Sequence, residues 1–127
     1  MLGSTILVVD DSKITRMKLI KNLGDKFSEW RFLEAQNGKE ALTVLEKEAA
    51  NLILIDYNMP EMDGISLAKK IMELYPNVCL QLVTGNIQNA TKKEAEKLNM
   101  LFIEKPITDE TVQKIIHGYE KYLEKNS

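Results

Sequence analysis

The sequence contains little of what several protein classes require. Its single cysteine, Cys79, excludes an internal disulfide and a cysteine-based metal cluster. No apolar run approaches the roughly 18 residues that a membrane span needs, and the first residues lack the features of a signal peptide. A net positive charge is also lacking, since 17 Lys plus Arg against 19 Asp plus Glu give a net charge of −2. We therefore expect a soluble, cytoplasmic protein with neither a membrane nor a nucleic acid as its partner.

Short apolar runs alternate with helical patterns along the chain. The 127 residues suit a single domain spanning residues 1–127, and their 44% hydrophobic content is enough for a core. This alternation predicts an α/β fold whose parallel sheet carries helices on both faces, with functional groups beyond the carboxyl ends of the strands. The runs that indicate strands are Thr5–Val9, Arg31–Ala35, Asn51–Ile55, Val78–Val83 and Leu101–Ile103.

The predicted helices differ in how much apolar surface they carry. The segment from Ile87 to Leu98 is rich in Lys and Glu, so we expect a thinly packed surface helix there. His117, the only histidine, lies beside the apolar stripe of the last helix and is interpreted as structural. Helical spacing after the first strand predicts one buried stripe made of Ile14, Met17, Ile20, Leu23 and Phe27.

Polar residues follow four of the five predicted strands. Asp10 and Asp11 follow the first strand, Asp56 the third, Thr84 the fourth and Lys105 the fifth. Each alone is most simply a turn or capping residue, but the carboxyl ends of parallel strands meet at one sheet edge. Three clustered carboxylates repel one another and raise one another's pKa unless a cation binds between them. A ligand set made only of oxygen atoms favours Mg²⁺. With an ammonium and a hydroxyl nearby, the set indicates a phosphoryl-transfer site in which an aspartate can be the nucleophile.

The segments that contain these residues resemble the receiver domains of response regulators, the CheY-like family of two-component signalling. The resemblance spans nearly the whole chain and implies a flavodoxin-like, doubly wound five-stranded parallel sheet of order 2-1-3-4-5 with five helices. It also implies a signalling switch rather than an enzyme, one that catalyses only its own phosphorylation and autodephosphorylation. The matching segments are Val8–Ser12, Leu54–Gly64, Val83–Gly85 and Phe102–Pro106.

The resemblance assigns a phosphoacceptor and a metal site. It implies that Asp56 takes a phosphoryl group from the phosphohistidine of a sensor histidine kinase or a phosphotransfer protein. It implies Mg²⁺ as the cofactor, with Mn²⁺ as an alternative ion. Asp11, Asp56 and the backbone carbonyl of Asn58 are the implied direct ligands, and Asp10 is implied to act largely through water.

The resemblance also assigns the switch. Thr84 and Phe102 are the implied switch pair: Thr84 moves to bond the phosphoryl group, and Phe102 turns inward to fill the vacated space. Lys105 is implied to hold the phosphoryl group, which makes Asp56, Thr84 and Lys105 the catalytic set. The peptide bond before Pro106 is expected to be cis. A downstream protein target is expected at the face formed by the fourth helix, fifth strand and fifth helix, with a phosphatase as a further partner.

Some positions depart from the usual family pattern. Asn99 stands where glycine is frequent, and asparagine tolerates the left-handed turn that this position favours. The chain between Leu98 and Pro106 is one residue shorter than usual. Asn58 and Asn86 occupy the variable positions that tune dephosphorylation, and neither amide can act as a general base. We therefore expect the phosphate lifetime to depend on how these amides position or block water.

Four functional hypotheses stay open at this point. In the first, the chain is a stand-alone receiver, related to chemotaxis or a phosphorelay, because no effector domain follows Ser127. In the second, it is a receiver excised from a larger regulator or hybrid kinase. The third is a Mg²⁺-dependent aspartyl-phosphate hydrolase, which the adjacent Asp10 and Asp11 disfavour because such enzymes use Asp-x-Asp. The fourth is a flavodoxin-type flavin carrier, whose phosphate these two aspartates would repel.

Overall fold

The computed structural model describes residues 3–127, in which five strands and five helices alternate. The strands predicted from the apolar runs agree with the observed strands to within one residue at each end. The elements are β1 (Thr5–Val9), α1 (Lys13–Lys26), β2 (Arg31–Ala35), α2 (Gly38–Lys47), β3 (Leu52–Ile55), α3 (Gly64–Leu74), β4 (Cys79–Thr84), α4 (Asn89–Lys97), β5 (Leu101–Glu104) and α5 (Asp109–Lys125).

All strand pairs are parallel, and the strand order is β2-β1-β3-β4-β5. This order confirms the flavodoxin-like arrangement expected from the resemblance. The register matters for function, because Val9 of β1 is paired with Ile55 of β3. Asp10 and Asp56 directly follow these two residues, so both aspartates leave the sheet at the same height on neighbouring central strands.

Helices cover both faces of the sheet, which explains the unbroken apolar runs of the central strands. One apolar layer lies between the sheet and α2, α3 and α4. The other lies between the sheet and α1 and α5. Cys79 is buried in this second layer, as expected of a residue inside an apolar strand.

The stripe predicted for α1 is wrong at its first two positions. Ile14 is 68% exposed and Met17 is 58% exposed, whereas Leu19 and Leu23 are buried. The inward face of α1 therefore begins at Arg16, whose side chain is only 13% exposed. Apolar spacing identifies residues that share a helix face, but the face that α1 turns inward is the one that carries Arg16, Leu19 and Leu23.

The other helices agree with their sequence patterns. Of the nine residues of α4, only Thr91 and Ala95 are buried, which confirms the thinly packed helix. His117 is exposed on α5. Within residues 3–127, no helix combines the length and the apolar character needed to cross a membrane.

Candidate functional site

Three carboxylates meet beyond the carboxyl ends of β1 and β3. Each of Asp10, Asp11 and Asp56 has a carboxylate oxygen that lies within 4.8 Å of those of the other two. Asp10 and Asp56 are buried, with 2% and 6% of their surface exposed, whereas Asp11 is exposed. We refer to these three residues as the acidic cluster. The structure thus brings together the three aspartates that the strand ends predicted.

Lys105 reaches into the acidic cluster from the end of β5. Its Nζ donates a hydrogen bond to Asp10 Oδ2 at 2.9 Å and lies 3.5 Å from Asp56 Oδ2. Its backbone N–H donates to the Thr84 carbonyl at 3.0 Å, which ties the end of β5 to β4. The ammonium group therefore bridges the two buried carboxylates and offsets part of their mutual repulsion.

The environment of Asp56 disfavours its charged form. Burial raises the pKa of the Asp56 carboxyl, and the nearby Asp10 carboxylate raises it further. The Thr84 hydroxyl and the Lys105 ammonium act in the opposite direction and lower the same pKa in part. A cation bound at the cluster would favour the ionised carboxylate in the same way.

The oxygen-only donor set of the cluster fits a hard divalent cation. Magnesium in proteins takes one or two carboxylates, keeps several waters and is completed by phosphate oxygens. Asp11 is the exposed member of the cluster, so water can reach an ion from its side.

The loop after β3 returns close to the backbone of Asp56. The Gly64 N–H donates to the Tyr57 carbonyl at 2.9 Å, and Glu61 has a left-handed φ of 69°. A Cβ at Gly64 would overlap the Asp56 carbonyl oxygen, so only glycine allows this approach. Asn58, which the resemblance assigns to the metal site, lies in this loop with an exposed side chain.

Thr84 ends β4 fully buried, beside the acidic cluster. Its Oγ1 accepts a hydrogen bond from the Asn86 N–H at 3.2 Å. The Asn86 Oδ1 in turn accepts from the Gln88 N–H at 3.2 Å and from the Thr91 hydroxyl at 3.3 Å. Gln88 is the N-cap of α4 and makes no side-chain capping bond of its own. Asn86 therefore links Thr84 to the first turn of α4, a role that the sequence did not reveal.

Phe102 lies on the same sheet face as Thr84. It is paired with Leu82, two residues before Thr84 on β4, and it packs, half-buried, against the layer that contains Leu82. The Nζ of Lys92 on α4 lies 5.5 Å from the centroid of the Phe102 ring, within the range of a cation–π contact. An aromatic side chain of β5 thus adjoins both α4 and the end of β4.

Two backbone features complete this end of the sheet. The peptide bond between Lys105 and Pro106 is cis. Asn99 has a left-handed φ of 58°, so asparagine at this position adopts the turn for which the family often uses glycine.

Comparison with known proteins agrees with this geometry. A family model described as the response regulator receiver domain matches residues 6–117. The sensor histidine kinase RcsC of Salmonella typhimurium is 33% identical over 121 residues, and the matched region is 94% of this chain but only 13% of RcsC. The chemotaxis protein CheY of Thermotoga maritima is 31% identical over 121 residues, which cover 94% of this chain and 100% of that protein.

Solved structures are similar over nearly the full chain. The chemotaxis protein CheY4 of Vibrio cholerae superposes with a TM-score of 0.80 at 26% identity, covering 90% of this chain and 96% of that chain. A CheY-like receiver domain protein of Methanospirillum hungatei gives a TM-score of 0.85 at 25% identity, covering 98% of this chain and 99% of that chain. The sheet order and the layers of helices are shared with these proteins.

Proposed function

This chain belongs to the family of response regulator receiver domains of two-component signalling, and we propose that Asp56 is its phosphoacceptor. Receiver domains interact with histidine kinases or phosphotransfer proteins and with downstream targets. The observation that carries the proposal is the position of Asp56, which is buried between two other carboxylates and 3.5 Å from the Lys105 ammonium. Asp10 shares the cluster and the lysine contact, but both of its carboxylate oxygens already accept hydrogen bonds, from the Ser12 N–H and from the Lys105 ammonium.

The transfer forms one bond and breaks one. A carboxylate oxygen of Asp56 attacks the phosphorus of a phosphohistidine on the partner, and an acyl phosphate forms. The P–N bond breaks, and its electron pair returns to the imidazole nitrogen. Asp10, Asp11 and Asp56, with the backbone carbonyl of Asn58, would hold Mg²⁺ or Mn²⁺, which when bound neutralises charge on the phosphoryl oxygens.

Lys105 and Thr84 act on the phosphoryl group from the protein side. The Lys105 ammonium already lies between the two buried carboxylates, so it can contact a phosphoryl oxygen on Asp56 with little movement. The Thr84 hydroxyl can donate to a second oxygen. The protein promotes only its own phosphorylation and dephosphorylation, and it acts as a switch rather than as an enzyme with a small-molecule substrate.

The switch is a change in the hydrogen bonding of the Thr84 hydroxyl, which lies near Asp56 and accepts from the Asn86 N–H before phosphorylation. Phosphorylation adds negative charge and strong hydrogen-bond acceptors. When the Thr84 hydroxyl turns towards them, it leaves the Asn86 N–H, and Phe102 turns into the vacated space. Few buried residues hold α4 in place, so a small change in free energy shifts its position. The face formed by α4, β5 and α5 is then presented differently to a downstream protein.

The phosphodonor would approach along α1. This helix begins two residues after Asp11, and Ile14 and Met17 expose apolar side chains at that end.

Because CheY of T. maritima is matched over its whole length, we propose a stand-alone receiver in a chemotaxis-related pathway. The alternative setting is a receiver domain within a larger regulator or hybrid kinase, as the match to RcsC suggests.

Phosphorylation by acetyl phosphate tests the acceptor directly. Intact-mass spectrometry should show one added phosphoryl group when Mg²⁺ is present, and none after the metal is chelated. Asp56→Asn should abolish the mass gain. Asp25→Asn is the matched control, because Asp25 is an exposed aspartate of α1 paired only with Lys21. An Asp56→Asn protein that is labelled as fast as the wild type would contradict the assignment.

A further inference from the structure

Arg16 of α1 is a largely buried charged side chain that contacts the end of β1 from outside the acidic cluster. Only 13% of its side chain is exposed, whereas arginine usually keeps its guanidinium in water. Nη1 donates to the backbone carbonyl of Asp10 at 2.6 Å, and Nε donates to Glu34 Oε1 at 2.9 Å. One rigid guanidinium therefore connects α1 to the ends of β1 and β2.

Four hydrogen bonds hold Asp10, and they come from different directions. Its N–H donates to the Ala35 carbonyl at 3.1 Å, and its Oδ1 accepts from the Ser12 N–H at 2.8 Å. Its Oδ2 accepts from Lys105, and its carbonyl accepts from Arg16. The Lys105 contact uses the carboxylate that faces the cluster, so it would change when a cation or a phosphoryl group arrives. The Arg16 contact uses the backbone and can persist through that change.

We propose that Arg16 is a positioning residue that holds the turn between β1 and α1, so that Asp10 and Asp11 face Asp56 for cation binding. This inference rests on the proposed metal dependence of the site. Three carboxylates within 4.8 Å repel one another before a cation binds. Asp10 and Asp11 belong to the turn, which can relieve the repulsion by moving outward. The Arg16 guanidinium opposes that movement by fixing the Asp10 carbonyl.

The geometry at this position requires arginine and not merely a positively charged side chain. The Asp10 carbonyl and the Glu34 carboxylate are bonded by two different nitrogens of the planar guanidinium, which presents its donors in a fixed fork. A lysine ammonium is a point charge on a flexible chain and cannot reproduce both contacts at once. The side chain of Glu34 is 48% exposed, so it orients Arg16 rather than contributing a strong ion pair.

The effect of removing Arg16 distinguishes positioning from simple electrostatics. Loss of a positive charge near three carboxylates would by itself strengthen the binding of a divalent cation. Loss of a positioning contact would instead weaken it, and removal of groups that orient metal ligands typically costs about 10- to 100-fold in metal affinity. The two explanations therefore predict changes of opposite sign in the same measured dissociation constant.

The test is direct Mn²⁺ binding to the full chain, measured by electron paramagnetic resonance of the free ion without any phosphodonor. We expect Arg16→Ala to raise the Mn²⁺ dissociation constant about 10-fold or more. Arg16→Lys should raise it to a similar degree, and Glu34→Gln should raise it less. Lys21→Ala, which removes an exposed cation of the same helix, should leave it unchanged. Binding by Arg16→Ala that is unchanged or tighter would overturn the proposal, as would full rescue by lysine.

Two further measurements separate positioning from loss of folding and from failure of the proposed function. Ile71→Val shortens a buried side chain of α3 remote from the cluster, so it should lower stability in urea without changing the Mn²⁺ affinity. The amide chemical shifts of Asp10, Asp11 and Ser12 should differ between metal-free Arg16→Ala and the metal-free wild type. Unchanged shifts at these three residues would overturn the proposal. Neither readout requires phosphorylation, so labelling of Asp56→Asn would refute the phosphoacceptor assignment while leaving the Arg16 result interpretable.

Discussion

Replacing Gly64 by alanine should disturb the site more than the addition of one methyl group suggests. A Cβ at this position would overlap the Asp56 carbonyl oxygen and would lie 3.0 Å from both the Asp56 carbonyl carbon and Ile55 Cγ2. The overlapped atoms are backbone at the end of β3 and cannot rotate away as the end of a side chain could. The loop that contains Asn58 must therefore move outward, or the end of β3 must shift.

The expected cost follows from these contacts. Overpacking of this kind usually costs about 1–3 kcal/mol. Alanine is a better helix former than glycine by at most about 1 kcal/mol, and Gly64 is the first residue of α3, where this benefit is smallest. We therefore expect the free energy of unfolding to fall by roughly 1–2 kcal/mol, a factor of about 5–30 in the folded-to-unfolded ratio. Acetyl phosphate labelling should slow as well, because Asp56 and the Asn58 loop are displaced.

Gly85→Ala is the matched control at the same edge of the sheet. Gly85 directly follows Thr84, yet a Cβ there would meet nothing within 4 Å, and its φ lies outside the left-handed region. Its stability should stay equal or rise by about 0.4–1 kcal/mol, because alanine restricts the unfolded chain. Urea unfolding monitored by fluorescence of the buried Trp30, which is 5% exposed, measures both variants. Equal midpoints for the two variants would refute the reasoning from the Gly64 contact.

Three further predictions concern charge, burial and the start of α4. Lys105→Ala should tighten Mg²⁺ binding about 10-fold, measured calorimetrically, because the ammonium that now neutralises Asp10 at 2.9 Å is removed. Burial raises the pKa of the Cys79 thiol from 9.0 to about 12, so Ellman's reagent should react only after unfolding. Since the pKa of this thiol is raised in the folded state, its contribution to the free energy of unfolding is present below pH 9 and is lost as the pH rises from 9 to about 12. Urea titrations of Cys79→Ala should not show this loss of stability. Asn86→Ala should speed amide hydrogen exchange at Gln88, the N-cap residue of α4, by about fivefold, since a hydrogen bond of this kind contributes about 1 kcal/mol. Thr91→Val, which removes only the hydroxyl that donates to Asn86, should have a smaller effect.

The strand ends could be predicted because parallel strands impose order on residues that are distant in sequence. A central strand covered on both faces is an unbroken apolar run, so its end is visible as the first polar residue. The carboxyl ends share one edge whatever the strand order, and this placed Asp10, Asp56, Thr84 and Lys105 together. The register of β1 and β3 in the structure, with Val9 opposite Ile55, then sets the two buried aspartates side by side.

The hydrogen bonds that tune the site could not be predicted in the same way. Arg16 has the sequence context of any helical arginine, and its contact with the Asp10 carbonyl depends on the distance between α1 and the end of β1. Asn86 likewise acts through a loop conformation that lets one side-chain oxygen accept from both Gln88 and Thr91. These distances are set by tertiary packing, and no periodicity in the sequence reports them.

The error at α1 bears on function as well as on prediction. Ile14 and Met17 are three residues apart and face the same direction, and the inward rotation of Arg16 turns that direction to solvent. Single exposed apolar residues are ordinary on protein surfaces. These two, however, lie side by side on a helix that begins two residues after Asp11, the exposed member of the acidic cluster. Under the proposed function, a phosphodonor must approach this edge to reach Asp56, so an apolar pair here gives it surface to bury. The same arginine contact that fixes the β1 turn therefore also determines which side chains of α1 are presented to a phosphodonor.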